Sequence, residues 1–192
     1  AGAARRLPLL AAGRLSMAVR DADPARDAAA CAAIYAPHVT DTATSFEEVP
    51  PSPEVMAQRM VAYAARHPWL VDEEDGRVRG YAYASPFSER PAYRWAAETT
   101  VYVDPAHHRR GVGRRLYAVL LDRLRAQGVR TACAVITLPN PGSVALHEAI
   151  GFTPVGVFRR VGWKHAAWRD VGWWQLDLGG PDGPPQGSPP GS

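Results

Sequence analysis

The stretch VYVDPAHHRRGVGRRLYAVLL, residues 101–121, constrains the fold most, because a strand pattern changes into a helix pattern across one short basic loop. Its first residues are apolar or β-branched, as in a buried strand. Leu116, Leu120 and Leu124 then recur at helical spacing, and Gly128 provides a C-terminal stop. A strand followed so closely by a helix predicts a layered α/β fold.

Similar patterns on both sides extend this unit to the predicted order β-α-α-β-β-β-α-β-α-β-β. The first helix is expected to end near Tyr35, because Pro37 does not readily continue a helix. Ser52 followed by Pro53 is typical of the start of the second helix. An Asp-Gly pair at residues 75–76 predicts a β-hairpin. The whole pattern indicates an α/β sandwich around a mixed sheet.

The composition, 46% hydrophobic and 21% charged over 192 residues, suits one domain with a single core. Residues 1–16 are predicted to be a flexible extension, residues 17–178 the folded domain, and the Gly/Pro/Ser-rich residues 179–192 a disordered tail. No apolar run approaches the roughly 18 residues of a membrane helix. The two cysteines lack the spacing of a metal site or a disulfide framework. We therefore expect a soluble, cytoplasmic protein.

The basic loop contains two glycines, Gly111 and Gly113, just before the predicted helix. Backbone N–H groups at a helix N-terminus, together with the positive end of the helix dipole, form a ready phosphate site. The loop lacks the GK[ST] ending of an ATP site and the full GxGxxG of a dinucleotide site. From the residues alone, a phosphate cradle and a solvated turn both remain open. A nucleic-acid patch is disfavoured, because no stacking platform accompanies the charges.

Outside the basic loop, few side chains are candidates for a catalytic or metal-binding role. Glu98 lies inside an otherwise apolar and threonine-rich strand, where partial burial would raise its pKa and suit a general base, although a solvent-facing position fits the pattern equally well. Cys133 and Tyr117 are predicted to pack in the core. His107 and His108 have no third ligand at metal-site spacing, so no metal is expected.

Two motifs resemble those of the GNAT acetyltransferases. RRGVG, with His108 before it, resembles the Q/R-x-x-G-x-G/A loop that binds acetyl-CoA. N-x-x-S-x-x-L-H-x-x-x-G-F, from Asn140 to Phe152, resembles the GNAT helix that usually has alanine and tyrosine in place of this serine and histidine. HPWLVDEEDGRVRGYAYASPF, AYRWAAETTVYVDP and GWKHAAWRDVGWWQLDL extend the likeness to the phosphinothricin and methionine sulfone/sulfoximine acetyltransferases over residues 17–178.

This resemblance implies a GNAT fold: a mixed, mostly antiparallel central sheet of about six or seven strands, flanked by about four helices. It implies acetyl-CoA as co-substrate, with Glu98 as general base. His147 stands where most GNAT enzymes have a tyrosine that protonates the coenzyme A thiolate, so it could donate that proton or help to deprotonate the amine. The implied cofactor-binding residues are Val101, Tyr102 and Val103 for the pantetheine arm, Arg109, Arg110, Gly111, Val112, Gly113 and Arg114 for the pyrophosphate, and Asn140 near the thioester.

The acceptor implied by the resemblance is the α-amine of phosphinothricin or a similar amino acid. Phe46, Arg90 and Tyr93 match substrate-side positions, whereas Ser88 stands where a better-known relative has lysine. Methionine sulfone or sulfoximine, another small amine or a peptide N-terminus are the alternative acceptors. A homodimer is also implied, and neither nucleic acid nor a membrane is an expected partner.

Overall fold

The computed structural model describes residues 17–180, so the predictions for residues 1–16 and for most of the tail at 179–192 lie outside the described residues. The helices are α1 (Pro24–Thr40), α2 (Pro53–Ala64), α3 (Val112–Ala126) and α4 (Pro141–Ile150). The strands are β1 (Met17–Asp21), β2 (Trp69–Glu74), β3 (Arg77–Pro86), β4 (Ala96–Val103), β5 (Thr131–Leu138), β6 (Thr153–Lys164) and β7 (Ala167–Asp177). The element order is the one that the sequence patterns predict.

The seven strands form one sheet in the order β1-β2-β3-β4-β5-β7-β6. Neighbouring strands are antiparallel except for β4 and β5, which run parallel because α3 connects them. The mixed, mostly antiparallel sheet with four helices is thereby confirmed for the described residues.

The parallel contact between β4 and β5 is short. It pairs Ala96–Glu98 with Thr131–Cys133 and then stops. Beyond it, β4 stays paired with β3 as far as Val103, and β5 stays paired with β7 as far as Leu138. The sheet therefore divides into two halves that separate after Glu98, and the β4 backbone from residue 99 onward has one edge without a strand partner.

Two apolar clusters cover the two faces of the sheet. On β2, Trp69 and Val71 belong to the cluster under α1 and α2, while Leu70 between them belongs to the cluster under α3. This alternation is the period of two expected of a strand covered on both faces. Leu116 and Leu120 of α3 are fully buried, so replacing either by alanine would cost about 2–5 kcal/mol.

The prediction that the first helix ends near Tyr35 is wrong, since α1 continues through Pro37 to Thr40. A proline in the last turn removes only the hydrogen bond of its own missing N–H. The Asp41 amide donates to the Pro37 carbonyl at 2.9 Å, and Val39 beyond it is 1% exposed. Burial of Val39 thus favours one further helical turn.

Among residues 17–180, no helix has both the length and the apolar character needed to cross a bilayer.

Candidate active site

A cavity of about 360 Å³ opens where β4 and β5 separate. One wall is the free part of β4 and the other is the end of β5, and the first residues of α4 close it from the side. The lining residues are Thr44, Ser45, Phe46, Tyr83, Glu98, Thr99, Thr100, Val101, Tyr102, Val135, Ile136, Thr137, Asn140, Ser143, His147 and Val171. The cavity brings together six of the predicted site residues. These are the predicted catalytic pair Glu98 and His147, the predicted cofactor-binding Val101, Tyr102 and Asn140, and the predicted substrate-binding Phe46.

Glu98 stands at the last paired position of the parallel contact, opposite Cys133, and lines the cavity. Burial raises the pKa of this carboxyl above its ordinary value. A carboxylate that is partly desolvated binds a proton more readily than an exposed one does. Partial burial with a raised pKa is the environment that suits a general base.

His147 belongs to α4, is 4% exposed and lines the same cavity. Its Nδ1 lies 2.7 Å from the Ser143 carbonyl oxygen, which can only accept, so Nδ1 carries a proton. Burial lowers the pKa of His147, and the ring is therefore neutral near pH 7, with Nε2 as an acceptor. The Tyr117 hydroxyl lies 2.7 Å from this Nε2 and donates to it.

Tyr117 is the residue at this site that the sequence reasoning missed. It packs in the core as predicted, with no exposed surface, but its hydroxyl reaches His147 across the gap between α3 and α4. Burial raises the pKa of this hydroxyl, which therefore keeps its proton. Thr99, 3.3 Å from the same hydroxyl, donates to the Cys133 carbonyl at 3.0 Å. No spacing rule pairs residue 117 with residue 147, so only the fold could reveal this contact.

The basic loop leads into the N-terminus of α3. Gly111 is the N-cap with φ of 75°, and Arg109 has φ of 60°, so the loop turns twice through left-handed backbone. Glycine avoids the steric cost of that conformation at residue 111. Arg109, Arg110 and Arg114 are exposed beside this helix end. The arrangement of amides and guanidinium groups is that of an anion site.

Gly113 and Val112 pack in the core where α3 meets α4. Val112 is 1% exposed and belongs to the core, and a Cβ on Gly113 would lie 2.9 Å from the Leu146 side chain of α4. The absence of a side chain at Gly113 therefore lets α3 and α4 approach closely. That approach is what brings Tyr117 within reach of His147.

Arg115 differs from the arginines around it. Its Nε donates to Asp72 at 2.9 Å, and its Nη1 donates to the Arg110 carbonyl at 3.0 Å. Asp72 is fully buried and also accepts from Arg79. Arg115 thus connects the loop to a buried ion pair and holds the loop in shape.

The other predicted residues are placed as follows. Val101 and Tyr102 line the cavity, and Val103 ends β4, where its carbonyl lies 3.1 Å from Nε2 of His108. Asn140 caps α4, since its Oδ1 accepts from the Ser143 amide at 3.1 Å. Residues 101–103 follow the free edge of β4 from Glu98 toward the basic loop.

Arg90 and Tyr93 are not among the residues that line the cavity. Both are exposed at a short helical turn, Pro91–Tyr93, between β3 and β4. Tyr93 packs against Phe87, with ring centroids 5.4 Å apart. Substrate binding by these two residues stays a prediction.

In the described part of the chain, His, Cys, Asp and Glu side chains form no group of three that could hold a metal ion.

Similarity to known proteins covers most of this chain. Residues 22–173 match the family model described as an acetyltransferase (GNAT) domain. A phosphinothricin N-acetyltransferase of Streptomyces viridochromogenes is 43% identical over 166 residues, which cover 86% of this chain and 90% of the relative. An L-methionine sulfoximine/L-methionine sulfone acetyltransferase of Salmonella typhimurium is 36% identical and covers 84% of this chain and 95% of the relative.

Among solved structures, a GNAT superfamily phosphinothricin acetyltransferase from Sinorhizobium meliloti, in complex with acetyl-CoA, superposes with a TM-score of 0.85. The two are 37% identical, and the match covers 90% of this chain and 95% of that one. Both motifs singled out in the sequence lie within the family match. The chain therefore belongs to the GNAT acetyltransferase family.

Proposed function

We propose that this GNAT acetyltransferase transfers the acetyl group of acetyl-CoA to the α-amine of phosphinothricin or a similar amino acid, with Glu98 as the general base. The observation that carries the proposal is the cavity at the separation of β4 and β5, which both Glu98 and His147 line. The relatives named above supply the acceptor class.

Several features of the chain fit acetyl-CoA. The free edge of β4, residues 99–103, offers backbone N–H and C=O groups with which the pantetheine amides can pair as a further strand would. The N-terminus of α3, with Arg109, Arg110 and Arg114, suits the pyrophosphate. Asn140 lies at the cavity wall, at the N-terminus of α4. Acetyl-CoA supplies the activated acetyl group, as a thioester.

Glu98 has the task of removing a proton from the acceptor. An amino acid is mostly an ammonium ion at neutral pH, and only the neutral amine is a nucleophile. A carboxylate whose pKa is raised by burial accepts that proton more readily than an ordinary one. A new N–C bond then replaces the C–S bond of the thioester, and Glu98 holds the proton that the amine has lost.

The departing thiolate needs a proton in its turn, and the nitrogen must lose a second proton after it has attacked, so the transfer balances without a proton from His147. His147 is neutral and protonated on Nδ1, which is bound to the Ser143 carbonyl, so it has no proton of its own to give from Nε2. Tyr117 does have one, shared with Nε2 at 2.7 Å. We assign Tyr117 as the positioning residue that fixes the tautomer and orientation of His147.

The proposal also includes a homodimer, in which a second copy of this chain pairs with the first. Strand β6 is an edge strand of 12 residues, exposed along most of its length. Val155, Val157, Phe158, Val161 and Trp163 on β6, and Trp168 on β7, are all more than 40% exposed. Such an apolar edge favours pairing. We propose that it forms the homodimer interface.

The first test is thiol release from acetyl-CoA with L-phosphinothricin, L-methionine sulfone and L-methionine sulfoximine, each offered separately at the same concentration. Release well above the acceptor-free rate with one of them supports the proposed reaction and ranks the acceptors. Background release with all three would contradict the amino acid acceptor and leave the family assignment untouched. A panel of peptides and small amines then tests the alternative.

A further inference from the structure

The loop of residues 41–52 between α1 and α2 carries Phe46 into the cavity, and it is held from outside by the end of β6. We propose that Gly162 and Lys164 position Phe46 and so determine the shape of the acceptor side of the cavity. The inference rests on the proposed function, since it assumes that the acceptor lies against Phe46. Lys164 would fix the loop backbone, and Gly162 would fix the ring.

Lys164 is buried, and its ammonium group is surrounded by carbonyl oxygens. It donates to Val39 at 2.6 Å, to Ser45 at 2.6 Å and to Glu47 at 2.8 Å. Two of these carbonyls flank Phe46 in sequence, and the third belongs to the last turn of α1. All three ammonium hydrogens are thereby used, and the backbone on both sides of Phe46 is held at one point of β6.

Lys164 is also the only lysine in the sequence, beside 21 arginines. The contacts explain why arginine would not serve here. An ammonium group presents three hydrogens in a tetrahedral cone, which suits three oxygens that converge on one atom. A guanidinium group is planar and larger, and its donors diverge. The site therefore discriminates between two cations of equal charge.

Gly162 lies on the same strand, two residues earlier, and the Phe46 ring rests on its backbone. A Cβ at Gly162 would overlap three atoms of the ring, Cδ2, Cε2 and Cζ. The φ of Gly162 is not in the left-handed region, so alanine would suit the backbone. The overlap is therefore with the ring alone, and relieving it would move the ring by on the order of 1 Å.

Phe46 lines the cavity and Gly162 does not, so the ring stands between Gly162 and the cavity. A ring displaced from Gly162 moves toward the acceptor. The bound acetyl-CoA is unaffected in this scheme, because its proposed contacts lie along β4 and the basic loop. The expected signature is a change in acceptor kinetics without a change in coenzyme kinetics.

The test is a double-mutant cycle of Gly162→Ala and Phe46→Leu. Gly156→Ala is the matched control, because a Cβ at this other β6 glycine would meet nothing within 4 Å. Gly162→Ala is expected to lower kcat/KM for the acceptor by about tenfold and to leave KM for acetyl-CoA within about twofold. In the Phe46→Leu background the same change is expected to have little further effect, in kinetics and in urea unfolding.

Lys164→Arg and Lys164→Met test the loop anchor. Both are expected to raise the acceptor KM, and Lys164→Arg is not expected to rescue, because the planar group cannot reach all three carbonyls. The proposal is overturned if Gly162→Ala behaves like Gly156→Ala, if its effect persists without the Phe46 ring, or if Lys164→Arg matches the wild type. If the wild type acetylates no amino acid, the proposed function fails, and the unfolding cycle still decides whether Gly162 positions Phe46, while urea unfolding of Lys164→Arg against the wild type decides whether Lys164 holds the loop.

Discussion

The Tyr117 hydroxyl lies 2.7 Å from Nε2 of His147, and both side chains are buried between α3 and α4. Because the Ser143 carbonyl binds Nδ1 on the other side of the ring, the two contacts together select one tautomer of a neutral imidazole. A donor to Nε2 stabilises the neutral ring and therefore acts in the same direction as burial.

Tyr117→Phe should remove this donor while it preserves the packing of the ring. We expect kcat to fall by about tenfold and KM for acetyl-CoA to change little. The pKa of His147, followed by NMR, should rise, since the hydrogen bond to the neutral form is lost. Tyr63→Phe, at a tyrosine of α2 that stacks on Trp69, is the control. An unchanged His147 titration would contradict the positioning role.

Glu98→Gln should lose most of the turnover and retain acetyl-CoA binding. Burial raises the folded-state pKa of Glu98 above 4.5, so wild-type kcat/KM should rise with pH through that higher value, and the variant should lack this limb. A raised carboxyl pKa opposes folding once the group ionises, so the variant should unfold no more easily than the wild type at pH 7. Exposed Glu89→Gln is the control. Normal turnover in Glu98→Gln would eliminate Glu98 as the base.

Arg114→Ala should raise KM for acetyl-CoA by about fivefold and weaken its salt dependence, because one exposed cation at the N-terminus of α3 is lost. Arg125→Ala, in the last turn of the same helix, should change neither. S-acetylpantetheine lacks the pyrophosphate, so the variant and the wild type should use it equally. A defect with this truncated donor would place the effect of Arg114 elsewhere.

We expect the folded protein to lose stability in acid, because Asp27 is a buried carboxylate paired with Arg20. Burial alone would raise its pKa, but hydrogen bonds from Arg20 and from the Asp23 amide outweigh this, and the pKa lies below its ordinary value of 3.8. Its contribution is therefore complete above the unfolded-state value and is lost as the pH falls below it. Asp27→Asn should destabilise the fold by about 3 kcal/mol at pH 7 and less at pH 3. Asp122→Asn, at an exposed carboxylate, should have little effect at either pH.

Phe158→Glu should disrupt the proposed homodimer. The side chain is 59% exposed, so a monomer can accept the charge without loss of its core. Sedimentation equilibrium should give about twice the chain mass of 20.8 kDa for the wild type and the chain mass for the variant. A wild type that sediments as a monomer at assay concentrations would refute the interface.

The sequence was informative where a single local pattern decides the structure. The element order, the helix stop at Gly151 and the cap at Asn140 could all be read from caps and periodicity. The end of α1 could not, because burial of Val39 outweighs the local effect of Pro37. Propensity is a weak guide wherever a core position lies beyond a helix breaker.

The residues of the candidate site likewise fall into those that a sequence motif indicates and those that only the fold reveals. Glu98 and His147 lie in motifs that have their own sequence signal, and the fold brings them to one cavity. Tyr117, Gly162 and Lys164 act through contacts between distant segments, and Lys164 reaches carbonyls more than a hundred residues away in the chain. No local pattern encodes such a contact, since it exists only once the end of β6 has packed against the last turn of α1 and the loop that follows it.

The burial of Lys164 has a consequence for chemical labelling. The chain has no other lysine, and the one ε-amine that it has is enclosed by three carbonyl oxygens. An amine-directed reagent added to the folded protein should therefore react with the α-amino group long before it reaches a side chain. Such a reagent gives a means of attaching a single probe to the native protein, and labelling of Lys164 on heating would report directly when the end of β6 separates from the loop.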